Sequence, residues 1–165
     1  MIDALIIGGG PAGLMAADVL SAAGRSVVVA DAMPTVGRKL LMAGKSGLNL
    51  TKAEPMSTFE TKYGDAVSIL SPIVRAFGPH DVSAWAESLG QTVFTGSTGR
   101  VFPTVMKASP LLRAWLKRLE AQDVEVRTRW RWRGWNGEAA LFDTCLLYTS
   151  PSPRDLSTPR MPSSA

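Results

Sequence analysis

The spacing of apolar positions changes several times along the first 144 residues, and each change predicts an element. Leu5-Ile6-Ile7 is a short apolar run that stops at glycines, which predicts a strand near residues 3–7 and a tight turn. A helical stretch follows from Pro11 to about Ala23, with proline in the first turn, where its missing N–H costs nothing. Gly24 stops it. Ser26-Val27-Val28-Val29-Ala30 is β-branched and apolar throughout, as in a parallel strand covered on both faces. Together these make a strand–helix–strand unit of about thirty residues.

Residues 37–51 have no strand character and read as a glycine-bearing loop around Leu40-Leu41-Met42. Two helices are expected over 65–78 and 79–90, the second opening on Pro79 and stopping at Gly90. Thr92 to Pro103 reads as a hairpin around Gly96 and Gly99. A third long helix should start with Ser109 as its cap, since Leu111, Leu112, Trp115, Leu116 and Leu119 recur on one face. Val124 to Thr144 is strand-like, with a turn at Asn136-Gly137. Strands near 3–7, 26–30 and 124–128 are expected to form one parallel sheet, with a helical excursion between the second and third.

From Cys145 onward the periodic pattern stops, and Pro151, Pro153, Pro159 and Pro162 crowd the end of the 165-residue chain. Residues 145–165 read as a disordered or non-native tail. The run from Cys145 to Asp155 also resembles a translated transposase-type sequencing adapter, and Arg160 to Ala165 resembles its continuation. The expected division is therefore a dinucleotide-binding domain over 1–144, cut short before its later strands, and a tail over 145–165.

Cys145 is the only cysteine and His80 the only histidine, so the sequence offers no disulfide framework, no CxxC pair and no Cys/His zinc spacing. No signal peptide or membrane span is read, and a reducing cytoplasm is the expected compartment. A formal charge of +4 with scattered Lys and Arg does not by itself imply nucleic acid.

The chemistry is carried by Gly8-Gly9-Gly10-Pro11-Ala12-Gly13, a GxGxxG sequence between a strand and a helix. Gly8 lets the chain turn off the strand, Gly10 lets backbone approach a pyrophosphate, and Gly13 lets the helix lie close to the sheet. The helix start, opened by Pro11, which has no N–H of its own, offers the free N–H groups from Ala12 onward and the positive end of a dipole to phosphate. Asp31 ends the second strand 18 residues past Gly13, placed to accept hydrogen bonds from ribose hydroxyls. An acid there favours a free 2′-hydroxyl, which admits both FAD and NAD.

Val36 to Thr51, with Gly37-Arg38-Lys39, an apolar pair, a glycine cluster and Asn49-Leu50-Thr51, resembles the second signature of the BaiN/RdsA-like, aminoacetone-oxidase-type flavoproteins. Gly99-Arg100-Val101-Phe102-Pro103 and Lys107-Ala108-Ser109 resemble a further stretch of that family. The resemblance runs from residue 2 to about 144. It implies an α/β, Rossmann-like FAD/NAD(P)-binding domain, here incomplete, with a parallel sheet, a helical insertion and a terminal β-hairpin. It also implies FAD as cofactor, hydride transfer through the flavin, and NAD(P)H or a small reductant as electron partner of the whole protein. By the same resemblance Arg38 and Lys39 neighbour phosphate or ribose, while Gly44, Asn49, Leu50 and Thr51 neighbour the middle and flavin end of the dinucleotide. Trp132 stands where the family makes a backbone contact to adenine. Gly47-Leu48 replaces the family's Arg-Cys, so any role of that arginine or thiol is lost. No catalytic acid or base is assigned, no metal site is expected, and the piece alone is expected to be inactive.

Three other readings compete. Ala43-Gly44-Lys45-Ser46-Gly47 resembles the end of a P-loop, but Lys39 stands where the first glycine is needed. Arg127 to Arg133 alternates basic and aromatic residues, as single-strand nucleic-acid platforms do. A strand with Val124, Val126, Thr128, Trp130 and Trp132 on one face and Glu125 with the arginines on the other accounts for it better, and neither nucleic acid nor membrane is expected as a partner. A nicotinamide-only dehydrogenase is the remaining alternative. His80, beside Pro79 and Asp81, reads as a surface residue at a helix start.

Overall fold

The computed structural model describes residues 2–43, 47–137 and 139–144. The Pro/Ser-rich tail over 145–165, and with it the adapter-like stretch, lies outside the described residues. β1 (Ala4–Ile7), α1 (Pro11–Ala22) and β2 (Val27–Asp31) form the expected unit, followed by α2 (Arg38–Ala43), β3 (Thr51–Lys52) and α3 (Met56–Glu60). A 3-10 turn over Thr61–Ala66 leads into α4 (Val67–Ala76) and α5 (Pro79–Ser88). Then come β4 (Val93–Thr95), β5 (Arg100–Pro103), α6 (Ala108–Ala121), β6 (Glu125–Thr128), β7 (Trp130–Asn136) and β8 (Ala139–Thr144).

The first sheet is parallel, in the order β1-β2-β6, with Ala4 beside Val27 and Val28 beside Glu125. Its centre is β2, whose valines are shut off from water on both faces, as the unbroken apolar run requires. α1 and α6 supply the rest of the core through Leu14, Ala17, Leu111, Trp115 and Leu119, packed against Val27 and Val29. A buried carboxylate ties the helices together. Asp18 of α1 accepts the indole N–H of Trp115 at 3.0 Å and that of Trp85 at 3.3 Å, with Arg118 Nη1 at 3.6 Å. The two indoles meet edge to face, 4.7 Å between ring centres. Burying this acid is tolerable because its charge is met by donors from α5 and α6.

The helical excursion carries a second sheet, antiparallel in the order β3-β5-β4. The hairpin expected at 92–103 is present, but Thr51 and Lys52 add a third strand beside Val101 and Arg100, a pairing that a two-residue strand leaves no periodicity to predict. Likewise the 37–51 stretch is not all loop, because Arg38–Ala43 closes a short helix. Within the excursion Glu60 of α3 is bound by Arg75 and Ser71 of α4. Chiefly the Arg75 hydrogen bond, and then that from Ser71, hold its carboxyl down at about 2.

Two further expectations need correction. Ser109 does not cap the third helix: Lys107 is the flanking residue and Ser109 lies inside the first turn, with no side-chain hydrogen bond made at the cap. Residues 124–133 are not one amphipathic strand. Arg129 takes a left-handed conformation, φ 62°, so β6 ends at Thr128 and the chain restarts as β7, breaking the alternation. As a result Arg127 lies over the Trp130 ring at 4.6 Å and also pairs with Glu125, while Arg133 pairs with Asp143 across the β7–β8 hairpin.

Candidate functional site

The turn between β1 and α1 lies at the carboxyl end of the parallel strands. Gly8 takes φ 105° there, and its N–H donates to Ala30 O at 2.8 Å, extending the β1–β2 pairing by one bond. Gly13 is needed for packing: a Cβ on it would stand 2.0 Å from the Gly8 carbonyl oxygen and 3.2 Å from Ile6. Gly9 is needed too, because a Cβ there would meet Val36 at 2.3 Å. Gly10 is different. Its φ is −81°, which any residue adopts, and a Cβ on it would meet nothing within 4 Å. Among the described glycines it alone combines an ordinary φ with open space at the Cβ position.

α1 starts beside that open space with Pro11 at its first position, no side-chain cap and no acidic residue in its first turn. Its first N–H groups have no intrahelical acceptor, and among the described residues no side-chain cap hydrogen bond is made at this helix start. Asp31, the last residue of β2, lies against the turn. One carboxylate oxygen accepts Gly9 N–H and the other accepts Met33 N–H, both at 2.7 Å. Each oxygen keeps a further lone pair. Gly37 closes the arrangement from the far side, its N–H donating to Gly9 O at 2.7 Å.

A cavity of about 420 Å³ opens here, lined by Gly9, Gly10, Asp31, Met33, Arg38 and Lys39, with Thr35, Gly37 and Met42 completing it. Its size falls within the usual range for small-molecule sites. An uncapped helix start and two exposed cations make an anion-attracting wall, and Asp31 provides an acceptor at the other side.

Of the residues singled out in the sequence, Gly8, Gly10, Pro11, Ala12, Gly13, Asp31, Arg38 and Lys39 are thus brought to one end of the sheet. Asn49, Leu50 and Thr51 are not among those lining the cavity. Asn49 is exposed, Leu50 donates to Val101 O at 2.9 Å, and Thr51 belongs to β3. Trp132 lies on β7 opposite Phe142, with its ring 6.4 Å from that of Trp135, and does not line the cavity either. Gly44, like Lys45 and Ser46 of the P-loop-like run, lies outside the described residues. His80 is exposed in the first turn of α5, where Asp81 accepts Gly78 N–H at 2.8 Å. The departure at Gly47-Leu48 has a structural counterpart: Leu48 is a core residue, and Gly47 has φ 128° with Met106 filling the space of its absent side chain.

Sequence reasoning missed Met33, Thr35 and Met42 as lining residues. Their only signal is position, just past β2 and along α2, and nothing in their chemistry sets them apart. Gly9 was readable as part of a triple glycine, but its contact with Val36 depends on the return of the chain after β2. Among the described residues no group of His, Cys, Asp and Glu could hold a metal ion, and no helix is long and apolar enough to cross a membrane.

Comparison with solved structures finds this fold again. The open conformation of a flavocytochrome c3 fumarate reductase is 20% identical and matches at a TM-score of 0.58, over 78% of this chain and 26% of its own. The 3-ketosteroid-delta4-(5alpha)-dehydrogenase from Rhodococcus jostii RHA1, in complex with 4-androstene-3,17-dione, is 13% identical at a TM-score of 0.56, over 81% of this chain and 39% of its own. The chain therefore spans well under half the length of either. At these identities the likeness is one of fold: a Rossmann-like parallel sheet with a helical insertion and a C-terminal hairpin. The profile of one sequence family matches residues 2–147, nearly the whole chain, and by that match the chain belongs to the family described as the HI0933-like protein Rossmann domain.

Proposed function

We propose that residues 1–144 are the FAD-binding domain of a flavin-dependent oxidoreductase of the BaiN/RdsA-like type. The observation that carries this is Gly10. Neither its backbone angles nor its packing requires glycine, so the space it leaves beside the start of α1 is explained by something outside the chain coming close. A diphosphate fits that space: it is anionic, it accepts hydrogen bonds, and it would meet free helix N–H groups with Arg38 and Lys39 nearby.

In this reading the N–H groups of Gly10, Ala12 and Gly13 hold the pyrophosphate and Asp31 accepts from the adenosine ribose. Arg38 and Lys39 neutralise phosphate charge. Gly44, Asn49, Leu50 and Thr51 neighbour the flavin half and Trp132 the adenine, as the family resemblance implies. Bound FAD supplies two-electron hydride chemistry. The chain's own residues bind and orient it, and the residues that would face the substrate belong to the remainder of the protein, so the 1–144 piece turns over nothing by itself. NAD(P)H or a small reductant in the cytoplasm would be the electron source of the whole protein.

The test is a titration of the chain with FAD and, separately, NAD. FAD is expected to bind, and Asp31→Asn to weaken it by roughly tenfold, the scale of one charge-assisted hydrogen bond. Asparagine offers one acceptor where the carboxylate offers two, so the Gly9 and Met33 amides compete with the ribose. Binding of NAD with indifference to FAD would instead identify a nicotinamide-only dehydrogenase.

A further inference from the structure

The glycine turn is held from behind by a residue outside the GxGxxG sequence, Gly37. Gly9 is gripped on three sides. Its N–H donates to Asp31 Oδ2 at 2.7 Å, its carbonyl accepts Gly37 N–H at 2.7 Å, and Val36 fills the space where a Cβ would be. A trans peptide directs its C=O and N–H to opposite sides. With the Gly9 carbonyl committed to Gly37, the N–H of Gly10 is turned away from that support, and it makes no hydrogen bond among the described residues.

Gly37 also begins the opposite wall of the cavity. Its carbonyl accepts Leu41 N–H at 3.1 Å in the first turn of α2, so the helix that carries Arg38 and Lys39 hangs on the same residue. One residue therefore fixes the amides at the start of α1 relative to the two cations. Gly37 is itself fixed. Its φ is 68°, and a Cβ on it would stand 2.6 and 2.7 Å from the two methyl carbons of Leu112. Leu112 is a buried core residue of α6 with little room to yield, so both the angle and the contact require glycine.

We infer that Gly37 is a positioning residue for the diphosphate of the cofactor: seated on Leu112, it holds the amide wall and the cationic wall in the fixed relation that binding two linked phosphates requires. The inference rests on the dinucleotide reading of the cavity. It adds a residue that acts through Gly9 and through α2, rather than by a hydrogen bond of its own to the ligand. A diphosphate depends on both walls at once. Adenosine has no phosphate to meet them and depends on Asp31, which keeps its bond from Met33 N–H whatever happens at Gly37.

The full chain is titrated with ADP and with adenosine, following the backbone amide resonances of Asp31 and Met33. Replacing Gly37 by glycolic acid exchanges its N–H for an ester oxygen, which deletes the donor to Gly9 and adds no atom at the Leu112 contact. Gly37→Ala keeps the donor but meets Leu112 and the unfavourable φ. Gly24→Ala is the control: Gly24 has φ 75° with open space at its Cβ position, and it precedes β2, at the other end of that strand from Asp31. ADP should bind the parent chain more tightly than adenosine does. In the ester and in Gly37→Ala, ADP should weaken roughly tenfold, the scale of one charge-assisted hydrogen bond, while adenosine changes by less than about twofold. Gly24→Ala should bind both like the parent, although its left-handed alanine lowers the unfolding temperature. ADP and adenosine weakening together would show that Gly37 only supports the fold, and ADP binding the ester like the parent would show that the bond to Gly9 positions nothing. Either result overturns the inference and leaves the cofactor reading standing. A parent chain that binds ADP no better than adenosine would remove the cofactor reading, and the inference with it. Should Gly37→Ala not fold, the ester decides.

Discussion

Adding one methyl group at Gly10 and one at Gly13 should have opposite consequences. At Gly13 the new carbon would stand 2.0 Å from the Gly8 carbonyl oxygen. Ordinary carbon–oxygen contact begins at about 3.3 Å, so α1 would have to retreat by roughly 1 Å or more. The obstructing atom is backbone, and α1 is fixed from behind by Asp18 and its indole donors, so the strain cannot relax through a side chain. Overpacking of this kind costs about 1–3 kcal/mol and sometimes more, which for a domain of this size lowers the unfolding temperature by roughly 3–12 °C. At Gly10 the methyl group meets nothing and the backbone angles already suit alanine, so stability should hold or rise by about 0.4–1 kcal/mol. That methyl group would nevertheless occupy the space a phosphate needs. Losing one or two charge-assisted hydrogen bonds, at about 1.5–3 kcal/mol each, weakens FAD by at least roughly tenfold. Thermal unfolding followed by tryptophan emission gives the first quantity and equilibrium titration with FAD the second. Gly10→Ala that binds FAD like the parent chain, or Gly13→Ala that unfolds at the parent's temperature, refutes the assignment of these glycines.

Asp18→Ala should destabilise the chain by about 2–4 kcal/mol, since the buried indole N–H of Trp115 and the half-buried one of Trp85 lose their acceptor; a urea titration measures it, and a loss below about 1 kcal/mol would show that water replaces the carboxylate. Glu60 titrates at about 2 in the folded chain and at about 4.3 when unfolded, a depressed folded value. Its contribution to stability is therefore complete above about pH 4.5 and lost as the pH falls toward 2. Comparing the pH dependence of unfolding in the parent and in Glu60→Gln should give curves that differ in slope only in that window. Leu5 and Ile7 are exposed on β1, a strand with one partner in its sheet, so Leu5→Lys or Ile7→Lys should reduce self-association in light scattering at equal concentration. Unchanged scattering would place the sticky surface elsewhere.

What could be read from the sequence was what short-range patterns encode. The Leu5-Ile6-Ile7 and Val27-Val28-Val29 runs placed β1 and β2 to within a residue or so, and GxGxxG with Asp31 pointed to the end of the sheet where the cavity opens. The apolar face of α6 was equally plain, with Leu111, Leu112, Trp115 and Leu119 buried. The helix start at Lys107 was hidden because Ser109 is a better cap by composition, yet the backbone already turns helical at Ala108. The strand break at Arg129 was hidden because left-handed φ at an arginine leaves no mark in an alternating sequence. β3, being two residues long, exists only through its pairing with β5.

The middle position of β2 in its sheet has a consequence for how the molecule is made. β1 comes just before it and can pair early, but Val28 waits for Glu125, a partner about a hundred residues later. During synthesis the most water-averse strand of the chain therefore spends most of the time with one side unclaimed, while the whole excursion is still being added. A nascent chain stalled in that interval is the form in which a chaperone, or a neighbouring ribosome's product, would find an unfilled place next to Val28 and Val29.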